Sequence, residues 1–463
     1  MNTSTHQSWL QAKDQALNLF NAGVIAADPS HAVLRCLSVE NQRIKLLLSS
    51  DDPSRCRSEN WSKIHLIAFG KAACAMIKAA QDIIPVHLRS DVSVAVTNDE
   101  NVTAIEGVEV MSASHPLPDN RGLNAAKKCA EYASLAQKNE LVLALISGGG
   151  SALIPYPVDS ISLQDKITAT HLLLASGATI QQINCVRKHL SQLKGGGLAR
   201  LAAPADLHAL ILSDVLDDDS SAIASGPTVA DATTFGDAIN IIKAYSLWDK
   251  IPLSVQKHLE LGLHGQALET PKPGEPVFAN TTHTLIGSNA LSLKAVFKAA
   301  QALGYHTIIY NKQLCGEAKQ VAETWVQDTK QCLENAIDKP LALLAGGETT
   351  VTLTGNGRGG RNQEMALAFA IAAEKYALDN DWVFLSGGTD GRDGPTDAAG
   401  GITDSNTLKR IRNAGLNPIA MLNNNDSYTA LKSSNDLIMT GATGTNVADL
   451  QILLIYPHSF LHI

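Results

Sequence analysis

The feature that most constrains this chain is an alternation repeated along its length. A short, strongly apolar run ends in a Gly or Ser cluster, and a longer segment with helical apolar spacing follows. "IHLIAFG" leads into "KAACAMIKAAQDI" and "HTLIGS" into "NALSLKAVFKAAQAL", while "VSVAVT", "LVLALISGGG", "LHALILSD", "HTIIY", "LALLAGG" and "WVFLSGG" supply further runs. Runs of this kind, bounded by turn residues and alternating with helices, build α/β layers around largely parallel sheets. Ligands of such sheets collect beyond the carboxyl ends of the strands, so the glycine-rich loops after the runs are where function is to be sought.

At 463 residues the chain exceeds one ordinary hydrophobic core, and two domains are expected. The stretch "LGLHGQALETPKPGEPVFA", with three prolines and little periodicity, is the best candidate linker, which sets a boundary near residue 273 and domains of 1–273 and 274–463. In the second half, "ETTVTLTG" alternates Thr with Val and Leu, the pattern of a half-exposed strand, so that sheet is expected to be mixed. A net charge of −8 gives no basic surface for a nucleic acid, and no apolar run is long enough to span a membrane. Seven scattered cysteines without a C-x-x-C pair read as reduced packing residues of a cytoplasmic protein.

"GNGRGGRNQE" contains a literal G-x-G-x-x-G at Gly355, Gly357 and Gly360. A dinucleotide fingerprint needs a buried parallel strand before the first Gly and an acid at the end of the next strand. Here the preceding run alternates, Asp379 and Asp381 stand before "WVFLS", and Asp390 comes thirty residues after Gly360. An anion cradle fits better: Gly357, Gly359 and Gly360 expose backbone N–H groups, a helix begins near Asn362, and Arg361 offers paired donors. A second candidate nest, Gly148, Gly149, Gly150 and Ser151, follows "LVLALIS" directly. Lys71 follows Gly70 at a strand-to-helix junction, and the basic stretch "RKHLSQLKGGGLAR" carries Arg187 and Lys194. Asn289 opens the helix after "HTLIGS" and is a further candidate phosphate contact. Asp214, Glu348, Asp390 and Asp397 stand in the loops after apolar runs, where carboxylates suit a hard cation such as Mg²⁺.

Together, "AFGKAA", "SHPLPDNRG", "LISGGGSAL", "RKHLSQLKGGGLA", "SDVLDDDSSAIASGPT", "GGETTVTLTGNGRGGRNQEMAL", "SGGTDGRDGPTDAAGG" and "TGATGTNVADL" resemble, in family order, the glycerate kinases whose carboxyl-terminal part is the MOFRL domain. The resemblance implies an N-terminal Rossmann-like doubly wound domain and a smaller mixed α/β domain with the active site in the cleft. It implies transfer of the γ-phosphate of ATP, with Mg²⁺, to the 2-hydroxyl of D-glycerate, with catalytic roles for Lys71 and Arg361. Gly197 stands where the family pattern has an arginine, and Arg200 is the nearest substitute. A homo-oligomer is compatible with this reading. Two alternatives remain open at this stage: an NAD(P)H-dependent hydroxypyruvate reductase and a non-catalytic phosphometabolite binder.

Overall fold

The computed structural model describes residues 3–40, 43–215, 217–333 and 339–457. They form two compact units, one of Pro29–Ile286 and one joining Met1–Asp28 to Gly287–Ile463.

The first unit holds a six-stranded sheet in the order Glu109–Ala113, Arg89–Asn98, Ile64–Phe69, Leu141–Ile146, Asp206–Leu212, Thr281–Gly287. The first five strands run parallel to one another. Ile64–Phe69 and Leu141–Ile146 are buried at every position, because both faces of the sheet are covered. Alternate residues serve opposite faces. Ile67, Phe69, Val142 and Ala144 pack with Ala126, Cys129 and Ala133 of the helix Asn120–Ser134. Leu66, Ala68, Leu143 and Leu145 pack with Ala73, Met76, Ile77 and Ala80 of the helix Ala73–Ile83. This is the doubly wound sheet that the alternating runs predict. Chain order runs outward in one direction from Ile64–Phe69 and in the other from Leu141–Ile146, so the topological switch point lies between these two strands. A separate layer of helices, Leu163–Ala175, Ile180–His189, Phe235–Ala244 and Leu253–Leu263, packs around Leu173, Val186, Phe235 and Leu259.

The second unit is built on a mixed sheet ordered His306–Glu317, Leu341–Thr350, Asp449–Tyr456, Asp381–Gly388, Gly400–Asp404, Leu437–Ile438. Only the first pair is parallel, and the other four are antiparallel. The helix Arg361–Lys375 covers one face through Met365 and Phe369 against Phe384 and Leu453.

The other face is covered in part by the chain's first helix, Thr3–Ala26, whose Ala12, Ala16, Leu19 and Phe20 pack with Leu344, Leu385 and Ile452. That i, i+4, i+7, i+8 stripe is an amphipathic helix seeking an apolar face. The compact units therefore divide the chain differently from a cut near residue 273. The helix at the amino terminus belongs with the carboxyl-terminal sheet, and the proline-rich segment packs inside the first unit, where a Cβ on Gly196 would meet Phe278 at 2.8 Å. The strand expected through "ETTVTLTG" stops at Thr350, and residues 351–354 are irregular.

Candidate active site

The two loops at the switch point interlock. Gly70 N donates to Val96 O (3.0 Å), Lys71 N to Gly148 O (2.9 Å), Ser147 N to Phe69 O (3.0 Å) and Ala72 N to Ser147 Oγ (3.0 Å). Gly70 has φ +122°, and a Cβ there would stand 2.2 Å from Ser147 Oγ, so only glycine lets the loops close on each other. The same packing brings Lys71 beside the glycine nest: a Cβ on Gly149 would lie 3.3 Å from Lys71 Cγ and 3.1 Å from the His115 ring. His115 is half-buried, and burial followed by the Lys71 charge holds its imidazole below the usual range, which favours the neutral ring. The quoted "SHPLPDNRG" carried this histidine, but nothing in its spacing pointed to Lys71. Asp214 lies against the first glycine of the nest, where a Cβ on Gly148 would meet its Oδ2 at 2.3 Å. Gly150 packs on Phe69 and Ala224.

Ser151 closes the nest and gathers two of the predicted cations. Lys194 Nζ donates to Ser151 Oγ (2.8 Å), to Ser151 O (3.0 Å) and to Ala224 O (3.3 Å), and Arg187 Nη2 also donates to Ser151 Oγ. Having accepted twice, the Ser151 hydroxyl has Ser225 Oγ (3.0 Å) to donate to, and Ser225 Oγ in turn donates to Asn184 Oδ1 (3.0 Å). Among the described residues no carboxylate takes part in this chain of bonds. Lys194 is 1% exposed and its bonds tie the nest to the Ala224 turn, so its work is to hold the loop. Arg200, the substitute considered for the missing family arginine, donates to Glu269 O (2.6 Å). Gly197 itself has no room for a side chain, since a Cβ would meet Gln192 O at 2.1 Å.

In the second unit Arg361 is held by two acids. Its Nε and Nη2 donate to Asp449 Oδ2 (2.6 Å) and Oδ1 (2.9 Å), and Nη1 lies 3.0 Å from Glu348 Oε1. Asp449 is fully buried, and burial raises its carboxyl above the usual range although Arg361 pulls the other way. Asp449 was present in "TGATGTNVADL" but carried no sequence signal as the partner of Arg361.

The glycine loop before Arg361 is shaped by its own protein neighbours. Gly355 N donates to Asn425 Oδ1 (2.9 Å), Asn356 N to Asn424 Oδ1 (3.1 Å), Gly357 N to Asn424 O (2.9 Å) and Arg358 N to Asp426 Oδ1 (3.2 Å). A Cβ on Gly357 would come within 2.4 Å of Asp426, one on Gly359 within 2.2 Å of Ser427, and one on Gly360 within 2.3 Å of Asp393. Close approach of the 424–427 loop to Gly357 and Gly359, and of Asp393 to Gly360, explains these glycines without a phosphate, and the amide of Gly357 is already spent. The positive end of the helix Arg361–Lys375 likewise receives the protein's own anion. Asn362 N (3.1 Å) and Gln363 N (2.8 Å) donate to the Asp393 carboxylate, which burial pushes up to about 6. Asn289 is a correction as well: its Nδ2 donates to Val447 O and Asp449 O (both 2.8 Å), so this buried amide pins strand Asp449–Tyr456 rather than presenting to a phosphate.

The carboxylates expected for Mg²⁺ are engaged separately. Glu348 pairs with Arg361, Asp390 Oδ1 accepts from Arg392 N (2.9 Å), and Asp397 Oδ1 accepts from the Tyr428 hydroxyl (2.8 Å). Among the described residues no three His, Cys, Asp or Glu side chains gather as a metal site.

A doubly wound sheet with a lysine and a glycine nest at its switch point, in a chain whose second unit holds an arginine between two acids, defines an α/β enzyme. Residues 15–260 match a domain of unknown function, DUF4147, and residues 341–449 match the MOFRL family. The glycerate 2-kinase of Pyrococcus horikoshii is 40% identical over 449 residues, covering 96% of this chain and 98% of that protein. A crystal structure of glycerate kinase from Thermotoga maritima aligns with a TM-score of 0.83 at 37% identity, over 96% of this chain and 99% of its own. A relative from Agrobacterium vitis, 38% identical over 96% of this chain and 95% of itself, carries a provisional hydroxypyruvate reductase name. The chain belongs to the MOFRL-type glycerate kinase family.

Proposed function

We infer that this chain is an ATP-dependent kinase that phosphorylates the 2-hydroxyl of D-glycerate, giving 2-phosphoglycerate and ADP. The observation that carries this reading is Lys71 at the switch point, against a glycine nest, in a chain related over nearly its full length to glycerate kinases. Phosphoryl transfer asks the protein for positioning and for cations where charge builds up. Lys71 supplies an ammonium beside Gly149 that can meet a phosphoryl or substrate oxygen. Neutral His115 on the same nest is suited to accept the hydroxyl proton as the new P–O bond forms. Arg361 keeps its guanidinium plane fixed through Asp449, which leaves part of its edge, and Glu348, to face solvent and ligand. Mg²⁺ would arrive on the nucleotide phosphates, as this ion often does.

Reduction of hydroxypyruvate is the second reading, favoured by the name of the Agrobacterium relative. Against it, the literal G-x-G-x-x-G follows irregular residues 351–354 instead of a parallel strand, and the amides of Gly355 and Gly357 are occupied by Asn425 and Asn424. ADP release with D-glycerate and ATP·Mg, and NADH oxidation with hydroxypyruvate, are to be measured side by side. Nicotinamide oxidation without ADP formation would sink the kinase, and tight binding of glycerate without either turnover would leave a binding protein. Loss of ADP formation in Lys71→Ala with an unchanged melting temperature is expected.

A further inference from the structure

The helix Leu163–Ala175 carries Lys166, which no motif marked and which its surroundings single out. Lys166 is 5% exposed and its side-chain nitrogen has no hydrogen-bond partner among the described residues. It lines a cavity of about 160 Å³ that it shares with Ser151, Arg187 and Lys194. The remaining wall is largely aliphatic, from residues such as Leu117, Ile167 and Ile183, and among the described residues no Asp or Glu lines it.

A buried ammonium without a counter-charge is strongly disfavoured, so the group either gives up its proton or takes an anion as partner. Lys194 has spent its three donors on Ser151 and Ala224. Arg187 has directed one of its five N–H groups at Ser151, and Lys166 has directed none. The cavity thus presents an ammonium and most of a guanidinium to open space walled by hydrocarbon. Burial, and then the neighbouring Arg187 charge, hold the Lys166 amine well below the usual lysine range, a bias that an entering anion reverses. Ser151 is only two residues from Gly149, which packs on Lys71, so an anion held here lies within a small molecule's length of that lysine.

We propose that Lys166 and Arg187 bind the carboxylate of the three-carbon acid substrate, and that Lys166 is the residue that selects an acid over a neutral polyol. This rests on the glycerate-kinase reading above. A carboxylate suits the site better than a nucleotide triphosphate, because the cavity is small and its cations are surrounded by aliphatic side chains rather than by exposed backbone amides.

The test is initial-rate kinetics on wild type, Lys166→Met and Lys166→Arg, with D-glycerate and ATP varied in turn. Lys166→Met should raise KM for D-glycerate on the order of a hundredfold, since the carboxylate loses a desolvated charged partner, and should leave KM for ATP within about twofold. Lys166→Arg should recover much of the loss. The melting temperature of the methionine variant should hold or rise, because an unpaired buried ammonium is replaced by an apolar chain; a merely structural lysine would lower it. As a second measurement that needs no variant, D-glyceramide should compete with D-glycerate on wild type on the order of a hundredfold more weakly than D-lactate, which keeps the carboxylate. A rise in KM for ATP alone would assign the cavity to nucleotide phosphate and overturn the proposal, as would unchanged KM values or equal competition by the amide. If wild type forms ADP with D-glycerate and these results fail, only the carboxylate site falls; if wild type forms none, both readings fall.

Discussion

Replacing Arg361 by methionine separates what this residue does for the fold from what it does for the reaction. Asp449 is fully buried and bonded to Arg361 through two N–H groups at 2.6 and 2.9 Å, and its carboxyl is already biased toward the neutral form. Without the guanidinium, the acid can escape an uncompensated buried charge by taking up a proton. At pH 7 protonating an ordinary aspartate costs roughly 1.36 kcal/mol for each of about three pH units, or ~4 kcal/mol, which caps the penalty. That figure falls within the range of about 3–5 kcal/mol for breaking a buried pair from one side. Glu348 is half-exposed and returns to water at little cost. The loss measured by urea unfolding should therefore be ~4 kcal/mol at pH 7 and shrink to ~1.5 kcal/mol at pH 5, because protonation becomes easier. Arg361→Met combined with Asp449→Asn should recover most of the stability while ADP formation stays lost. A pH-independent loss would refute the buried-charge account. Near wild-type turnover in the double variant would refute a role for Arg361 in the transfer.

Gly70→Ala places a Cβ 2.2 Å from Ser147 Oγ at φ +122° and should cost ~1–3 kcal/mol, with kcat falling more than either KM because Lys71 is displaced; steady-state rates and melting curves check both. Lys13 pairs with Asp404 (2.7 Å) and with Asp436, and in Lys13→Met these two buried acids would keep Arg410 as their cation among the described residues, so unfolding of the second unit should ease by up to ~3 kcal/mol and Lys13→Arg should restore it. Burial opposes charge on His189, but its Nδ1 bond to Cys185 O (2.8 Å) and the ion pair with Glu269 (3.0 Å) prevail and raise it to about 9. Since the folded value exceeds the unfolded one, this contribution is complete below pH ~6.5 and is lost as pH rises through about 9. Melting temperature against pH should accordingly decline across that window in wild type and be flatter in His189→Gln.

Much of this protein is decided locally. The runs "IHLIAF" and "LVLALI" can only be strands covered on both faces, and Gly70 and Gly149 mark loops that must turn tightly or pack closely; these are properties of residues within a few positions of one another. The order of the motifs likewise identified the family before any coordinate. Charge partnership and burial belong to the tertiary structure. Lys166 sits in a helix with an ordinary mix of polar and apolar residues, where a lysine reads as solvated, and only the packing of that helix over the nest takes its ammonium from water. The glycines of "GNGRGGRNQE" read as a phosphate cradle because sequence shows that something must approach closely, not what; the 424–427 loop, some seventy residues away, approaches Gly355, Gly357 and Gly359, and Asp393 approaches Gly360. The helix Thr3–Ala26 displays an apolar stripe in sequence, but which sheet receives it is set by complementary faces separated by more than 250 residues. Periodicity and turn chemistry act over a few residues and are written in the chain, whereas desolvation and pairing depend on which distant surfaces meet.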